Sequence, residues 1–597
     1  MAWLAGAHAV ADVAWALAVL VALVPLTISV ARDLLHRETG VDLIALLAMT
    51  GCLVLGQYLA GAVVGLMLSG GQALERYASA RARRELSALV ARAPHVVHRY
   101  NGDELASADI ADVREGDRLL VKPGEVVPVD GLVLEGEAVL DESALTGESM
   151  PVEHHQGDGV RSGVVSEGAP FTLQATTTAA ESTYAGIVRL VREAQASKAP
   201  FVRLADRYAM WFLPVTLLVA GFAWFVSGSP VRALAVLVVA TPCPLILAAP
   251  VAIVAGISRA AHRGIIIKGG GALETMARVQ TMVFDKTGTL TAGLPRLASV
   301  ERLDGIAADE LVRLAASLDQ VSPHVFADAI VAEARRRRLE LELPQGVNEY
   351  LGKGIDGMVG ARRVALGQAR WLLDGRPMPR AAVEVRSRIA SEGASAVFVA
   401  VDGLLAGALV MVDPIRHDTP VALGALRRAG VKRFVLLSGD RSEVADLVGR
   451  QLGVDAVLAE HGPEQKIEAI SRERRQAVTM MVGDGINDAP ALAASDVGVA
   501  MGARGATASS EAADAVIVVD RLDRVAEAIL IARRARHIAL QSVIAGMALS
   551  MLGMLLATAG VLAPVAGAVF QEAIDVAVIL NALRALGGDT RVSSSRS

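Results

Sequence analysis

Long stretches without charge constrain this chain more than any other feature. Val13 to Ala31, Leu43 to Leu74, Tyr208 to Val226 and Ala233 to Ile257 contain no charged residue. In a hydrocarbon core every backbone polar group must find its partner within the segment, so such runs fold as helices of about 20 residues per crossing. Leu43 to Leu74 is too long for one comfortable crossing and reads as two short helices turning at Gly56-Gln57. A second pair turns around Ser227-Gly228-Ser229-Pro230. A last pair runs from Ile538 to about Leu583 and turns near Gly560 to Gly567. With Val13 to Ala31 in front, the expectation is seven membrane helices.

Composition agrees with membrane spans around large soluble insertions. The chain of 597 residues is 53% hydrophobic with mean hydropathy +0.45, too apolar for a soluble protein of this size, and its charged residues gather in the middle. A net charge of −5 gives no sign of a nucleic-acid partner. Cys52 and Cys243 both lie inside apolar runs, so neither a disulfide framework nor a CxxC metal module is available. Arg32, Arg37, Arg76, Arg81, Arg83 and Arg84 mark one side of the spans, and Arg232 is nearly the only basic residue on the other. The positive-inside rule then places the soluble blocks in the cytoplasm, the N-terminus outside and the Arg591 to Ser597 tail inside.

The chemistry centres on Asp285-Lys286-Thr287-Gly288-Thr289-Leu290-Thr291. The apolar, β-branched run Val279 to Phe284 reads as a buried strand, which puts the Asp285 carboxylate where ligands bind in open α/β sheets. Beside Lys286 and the hydroxyls of Thr287 and Thr289, it can act as a nucleophile toward phosphorus. A lone aspartate there would read as a turn cap; seven residues in this order do not. No GxxxxGK[ST] occurs, which excludes a P-loop enzyme. Further strands end at Ser438-Gly439-Asp440 and at Gly483-Asp484-Gly485-Ile486-Asn487-Asp488, with helical stretches between them, so the sheet should be parallel. Asp285, Ser438 and Asp484 would then converge on one phosphate. Asp285, Thr287 and Asp484 offer oxygen ligands to Mg²⁺. Lys466, in Pro463-Glu464-Gln465-Lys466, can neutralise a transferring phosphoryl group. Asn487 and Asp488 complete the catalytic set.

The first motif resembles the phosphorylation motif of the P-type ATPases, and with GDGIND it matches their haloacid-dehalogenase-type core. The resemblance covers essentially the whole chain and implies ATP and Mg²⁺ as cofactors. The fold it implies is a multidomain membrane protein with an α-helical transmembrane bundle, a β-rich actuator domain, an α/β phosphorylation domain and an inserted α+β nucleotide-binding domain. The expected limits are 1–84 for three membrane helices, 85–200 for the actuator and 201–274 for two more helices. The phosphorylation domain takes 275–291 and 408–535, the nucleotide-binding domain 292–407, and the last helices and tail 536–597. In the actuator, Thr146-Gly147-Glu148-Ser149 stands between Asp141 to Leu145 and Met150-Pro151-Val152. By resemblance, Glu148 positions the hydrolytic water, whose proton a carboxylate can accept. His154 and His155 follow in a glycine-bounded polar turn and read as a solvated loop. In the insert, Gly352-Lys353-Gly354-Ile355 resembles the family's glycine pair that admits a nucleotide. Ser322-Pro323-His324-Val325 aligns with its Ser-Glu-His-Pro segment. His324 is carried over as an adenine contact, and Asp319 stands where a glutamate is common.

The ion site is expected at Ala240-Thr241-Pro242-Cys243-Pro244-Leu245. Pro242 and Pro244 should free the carbonyls of Val238 and Ala240 and unwind the helix, which membrane depth tolerates only around a cavity or inside protein. The segment resembles the Cys-Pro signature of the heavy-metal, type IB branch, with one cysteine in place of the common CPC form. That branch typically has eight helices and often a metal-binding domain in front; the sequence is expected to lack that domain and the first helix. On the last span, Glu572 and Asp575 are three apart and share a face; an acid inside a span is costly and usually functional. Met547, Met551 and Met554 form a stripe that reads as packing. Cys243, Thr241, Asp575 and Glu572 together suit a divalent ion such as Ni, Co, Fe or Zn. The reading is ATP-driven export of a transition-metal ion across the cytoplasmic membrane, with the ion and the bilayer as partners. Its rivals are a Cu(I) exporter and a metal sensor without turnover.

Overall fold

The computed structural model describes residues 8–35, 42–91, 96–102, 104–142, 151–186, 188–189, 202–240, 243–292, 295–322, 324–350, 353–391, 394–440, 442–483, 488–502 and 512–587. They form two compact units, one built from the residues up to Arg278 and from Glu527 onward, the other from Val279–Ala526.

The first unit holds the apolar helices α1 (His8–Leu35), α2 (Asp42–Val54), α3 (Tyr58–Ala91), α4 (Val202–Ser227), α5 (Pro230–Val239), α6 (Cys243–Ala261), α7 (Asp523–Thr558) and α8 (Pro564–Leu583). Ala9–Arg32, Asp523–Thr558 and Pro564–Leu586 are long and apolar enough to cross a membrane; the apolar parts of the others are shorter. The long uncharged run divides between α2 and α3, where Gly56 takes φ 69° and Gln57 N donates to Cys52 O. Along α1, Val13, Leu17, Val21, Val24 and Ile28 are exposed, the surface a lipid-facing helix presents. Helix α7 passes the expected limit at 535 without a break, because its first turns are as helical as its apolar part.

Helix α5 stops at Val239 with Ala240 as its C-cap, and α6 begins at Cys243; Thr241 and Pro242 lie outside the described residues. Helix α8 packs against α3, α5 and α6. Its Ile574, Val578 and Ile579 join Val251, Ala252 and Ala255 of α6 and Ile538, Ala539 and Val543 of α7 in one core. Close approach at the interruption depends on missing side chains. A Cβ on Gly567 would lie 2.6 Å from Val239 Cγ2, and one on Gly553 would lie 2.5 Å from Val239 Cγ1. Val239, fully buried at the end of α5, is thus gripped by α7 and α8.

The same unit carries a β-rich region. A six-stranded antiparallel sheet runs in the order Glu104–Asp109, Val96–Asn101, Arg118–Val121, Phe171–Ala175, Gly131–Glu135, Gly159–Val160. A three-stranded sheet places Ala138–Asp141 between Val152–His154 and Val165–Ser166. The Asp130 carboxylate fastens the region, accepting from Ser162 N and Oγ and from Thr183 N and Oγ1 at 2.7–2.8 Å.

In the second unit β1 (Thr281–Asp285), β2 (Arg433–Leu437), β3 (Ala456–Leu458), β4 (Thr479–Gly483), β5 (Val497–Met501) and β6 (Ala515–Ile517) lie in the order β6-β5-β4-β1-β2-β3, all parallel. Both faces of β1 are covered, so its run is continuously apolar; Phe284 stacks on Phe434 at 6.3 Å. Register pairs Asp285 with Leu437, which brings Ser438 to the same sheet edge. The insert is a six-stranded antiparallel sheet covered by helices Ala308–Asp319 and Val325–Arg336, with Leu311, Leu314, Leu318, Ile330, Val364 and Leu409 in its core. Its sheet runs past the expected limit at 407, because strand Leu404–Val412 pairs with Arg296–Arg302 out to Arg296↔Val412.

Overpacking predicts the cost of disturbing the interruption. Gly567→Val should lower stability in detergent by about 1–3 kcal/mol and drop the melting temperature accordingly. Adding Val239→Ala should recover much of the loss; a double variant no more stable than Gly567→Val would contradict the contact.

Candidate functional site

The end of β1 gathers opposite charges away from water. Asp285 is 7% exposed. Lys466, in the first turn of helix Pro463–Gln476, places Nζ 2.5 Å from Asp285 Oδ1 and 2.9 Å from Asp488 Oδ1. Burial alone would depress this ammonium, but the Asp285 and Asp488 carboxylates outweigh it and hold its pKa above the ordinary lysine value. Lys286 Nζ lies 2.5 Å from Asp440 Oδ2. Thr287 N donates to Asp285 Oδ2 at 3.1 Å. Ser438 is buried, and its hydroxyl accepts from Asp440 N at 3.1 Å.

The Lys466 ammonium therefore stands beside a carboxylate that could carry a phosphoryl group and can balance the charge such a group brings, while Lys286, next to Asp285 in the chain, is held by Asp440. The Thr289 hydroxyl is fully buried and has no hydrogen-bond partner among the described residues. Carboxylate oxygens with an unmet hydroxyl are the hard donors that Mg²⁺ takes alongside phosphate, so the residues present fit that ion. Asp484 and Asn487 lie outside the described residues.

Arg416 is a site residue that the motifs did not disclose. Its guanidinium donates to the carbonyls of Gly288 and Thr291, each at 3.0 Å, and to Asp520 Oδ1 at 2.5 Å. Arg416 N and Thr419 Oγ1 both donate to Leu290 O, and Thr291 Oγ1 donates to Asp413 Oδ2 at 2.6 Å. The chain re-entering from the insert thus fixes the loop that follows Asp285. The only signal in the sequence was one arginine in the polar turn Asp413-Pro414-Ile415-Arg416, and no periodicity marks it.

In the insert, a cavity of about 250 Å³ is lined by Asp319, Ser322, His324, Phe326, Tyr350, Lys353 and Gly354, among others. His324 Nδ1 accepts from Phe326 N at 3.2 Å and caps the helix Val325–Arg336, so a neutral ring carries its proton on Nε2. Gly354 has φ 159°, and a Cβ there would collide with Leu366 O and the Trp371 ring; no other residue fits. Burial, and then the nearby Glu349 carboxylate, raise the Asp319 carboxyl to about 7. Gly352 and Pro323 lie outside the described residues.

Within α8, Gln571 is fully buried and Asp575 is 3% exposed. Gln571 Nε2 donates to Asp575 Oδ1 at 2.9 Å, and Ser550 Oγ of α7 donates to Gln571 Oε1 at 3.1 Å. Glu572 keeps one carboxylate oxygen, Oε2, buried without a hydrogen-bond partner among the described residues. Helix α6 starts at Cys243, but its side chain and the whole of Thr241 lie outside the described residues. Among the described residues no group of three or more His, Cys, Asp or Glu could hold a metal ion. Cys52 packs with Val19, Met49 and Val64. Met554 is fully buried and its sulfur accepts from Thr216 Oγ1 at 3.9 Å, with Met547 and Met551 packed beside it. Glu148 lies outside the described residues. His154 departs from the solvated loop expected of it: its side chain is 17% exposed and Nε2 lies 3.2 Å from Glu142 Oε1, whereas His155 is exposed. Strand pairing, which turns His154 inward, is the reason.

Two outcomes follow from this geometry. Arg416→Leu should lower acid-stable phosphorylation from ATP by about tenfold or more, since it removes charged hydrogen bonds to two loop carbonyls. Wild-type labelling would show that the loop needs no such support. For Asp319, the folded state holds its proton more tightly than the unfolded state, so its stabilising contribution is complete below about pH 4 and is lost as pH rises through about 7. Hydrogen exchange of helix Ala308–Asp319, corrected for intrinsic rates, should therefore report an opening free energy that falls by roughly 2–4 kcal/mol over that interval. Asp319→Asn should abolish the fall; an unchanged slope would contradict the assignment.

Comparison with known proteins accords with this layout. The model of the P-type ATPase actuator domain matches residues 91–192, and that of the haloacid dehalogenase-like hydrolases matches residues 279–496. Copper-transporting ATPase 1 of Rhizobium meliloti is 37% identical over 491 residues, covering 80% of this chain and 59% of that protein. The chain thus spans about three fifths of that relative's length. A zinc-transporting ATPase of Synechocystis is 35% identical over 552 residues, 90% of this chain and 75% of its own. The crystal structure of a zinc-transporting PIB-type ATPase in its E2.Pi state superposes with a TM-score of 0.67 at 32% identity, covering 97% of this chain and 96% of that one. With identity at this level over most of both chains, this protein belongs to the heavy-metal, type IB branch of the P-type ATPases.

Proposed function

We propose that this chain hydrolyses ATP to export a transition-metal ion across the cytoplasmic membrane, with Asp285 as the residue that is phosphorylated. The observation that carries the reading is the buried Lys466 ammonium between Asp285 and Asp488 at the end of a parallel strand. In the proposed reaction a carboxylate oxygen of Asp285 attacks the γ-phosphorus. The bond from phosphorus to the bridging oxygen breaks, and ADP leaves with its electron pair. Lys466 and Lys286 oppose the charge on the phosphoryl oxygens, while Thr287 and Ser438 orient them. Mg²⁺, when bound by Asp285, Thr287 and Asp484, supplies further positive charge there. Asn487 and Asp488 complete the cradle, Asp488 by holding Lys466. His324, Asp319, Gly352 and Gly354 hold the nucleotide. On return, Glu148 takes the proton of the water that attacks phosphorus, and the Asp285 carboxylate is released.

The transported ion is assigned to Cys243, Thr241, Asp575 and Glu572. A buried carboxylate beside a second acid with an unmet oxygen supports a divalent cation, Ni, Co, Fe or Zn, because these charges need balancing in a low-dielectric setting. Copper(I) is the second reading, favoured by the name of the Rhizobium relative; against it, the methionine stripe is engaged in packing. A panel of metals with purified protein tests the choice. ATPase activity should rise more with at least one of the four divalent ions than with Cu(I). Cys243→Ala and Asp575→Ala should each remove the stimulation while ATP still binds. Preferential stimulation by Cu(I), with Asp575→Ala fully active, would overturn the divalent assignment.

A further inference from the structure

The cavity in the insert is walled by two carboxyl groups, Asp319 and Glu349, although the ligand proposed for it is an anion. Asp319 is the last residue of helix Ala308–Asp319, the end at which the helix dipole disfavours negative charge. It is 6% exposed, and among the described residues nothing donates a hydrogen bond to its carboxyl oxygens. Burial, and then the Glu349 carboxylate on strand Gln345–Tyr350, both favour its neutral form. The other titratable groups that line the cavity, His324, Tyr350 and Lys353, are exposed, so water screens them. At the far end of the same helix, Asp309 pairs with Arg337 and Glu310 with Arg313. On the elements packed against it, Asp356 is held by Arg363, Glu333 by Arg336 and Arg337, and Glu301 by Arg388. Asp328, Arg296, Arg302, Arg335 and Arg362 are exposed, and none of these charged groups lines the cavity.

A carboxylic acid and a carboxylate bind different things. Ionised Asp319 can only accept hydrogen bonds; protonated, it donates through one oxygen and accepts through the other. An edge of adenine presents an accepting ring nitrogen beside a donating amino group. The protonated carboxyl can meet both, whereas a carboxylate meets the amino group and opposes the lone pair of the ring nitrogen. Entry of the base also removes water from Asp319, and the phosphates bring negative charge; both disfavour ionisation. We propose that ATP enters this cavity together with a proton, that Asp319 takes the proton, and that Glu349 across the cavity keeps Asp319 in the form that binds. The proposal rests on the assignment of the cavity to the nucleotide. The proton comes from solvent, and no bond of the nucleotide changes.

Calorimetric titration of the full chain with ATP, without Mg²⁺ and in two buffers of different ionisation enthalpy, counts the protons. With Asp319 titrating at about 7 in the empty cavity, wild type should take up about 0.7 proton per nucleotide at pH 7.5. Its dissociation constant should rise about fivefold from pH 7.5 to 8.5. Asp319→Asn, whose amide offers a donor and an acceptor but does not titrate, should bind ATP with no uptake and with an affinity flat over that range. Glu349→Gln should move the onset of uptake to lower pH. Zero uptake or proton release in wild type, or undiminished uptake in Asp319→Asn, would overturn the proposal. An onset unchanged in Glu349→Gln would overturn the part given to Glu349. His324→Ala and Gly354→Val separate the levels. If either weakens ATP binding while wild type takes up no proton, the linkage falls alone; if neither weakens it, the assignment of the cavity to the nucleotide falls as well.

Discussion

A charged group in a protein interior persists only when its partners are fixed, and the Lys466 ammonium shows what that demands here. It needs Asp285 and Asp488 within hydrogen-bond reach; Asp285 ends β1, and Asp488 stands at the N-terminus of helix Ala489–Ala494, against Gly483 at the end of β4. A parallel sheet delivers them, because its strands all finish on one edge. Removing either carboxylate would leave a buried charge partly unpaired, at a cost of several kcal/mol. The same edge holds Lys286 against Asp440, and Arg416 against the loop carbonyls that follow Asp285. The proposed nucleophile is thus preorganised by pairs that also stabilise the fold.

In the apolar helices the governing constraint is backbone satisfaction without water. Helix α5 ends at Val239 and α6 starts at Cys243, and Gly553 of α7 and Gly567 of α8 let those helices close on Val239. Polar side chains on α7 and α8 pair with each other. Ser550, Gln571 and Asp575 form one bridge; Ser542, Asn581 and Arg584 form a second, at 2.9 and 2.7 Å. Interhelical hydrogen bonds of this kind contribute modestly in energy but fix register. They place the acids of α8 along the helix that packs on both sides of the interruption.

Much of this was legible in the sequence, and the exceptions have physical causes. Asp285 and Ser438 stand out because a buried strand declares itself by composition and ends at a polar residue. The division of the uncharged run at Gly56 follows from length alone. Arg416, Asp440 and Gln571 were not legible, because their significance lies in partners distant along the chain or on another element. His154 was misread for the same reason: a polar turn in sequence is an exposed edge strand on which the His154 side chain is largely covered, beside Glu142. The positions 407 and 535 fall inside a paired strand and a continuous helix, features that no local pattern marks.

Everything proposed for the reaction depends on phosphate becoming attached to one carboxylate. Incubating the protein with γ-labelled ATP, Mg²⁺ and an activating transition metal, quenching in acid and mapping the label by proteolysis tests that claim most directly. The account predicts an acid-stable, hydroxylamine-sensitive label confined to the peptide containing Asp285 and absent from Asp285→Asn. Label on another peptide, or full labelling of Asp285→Asn, would contradict it.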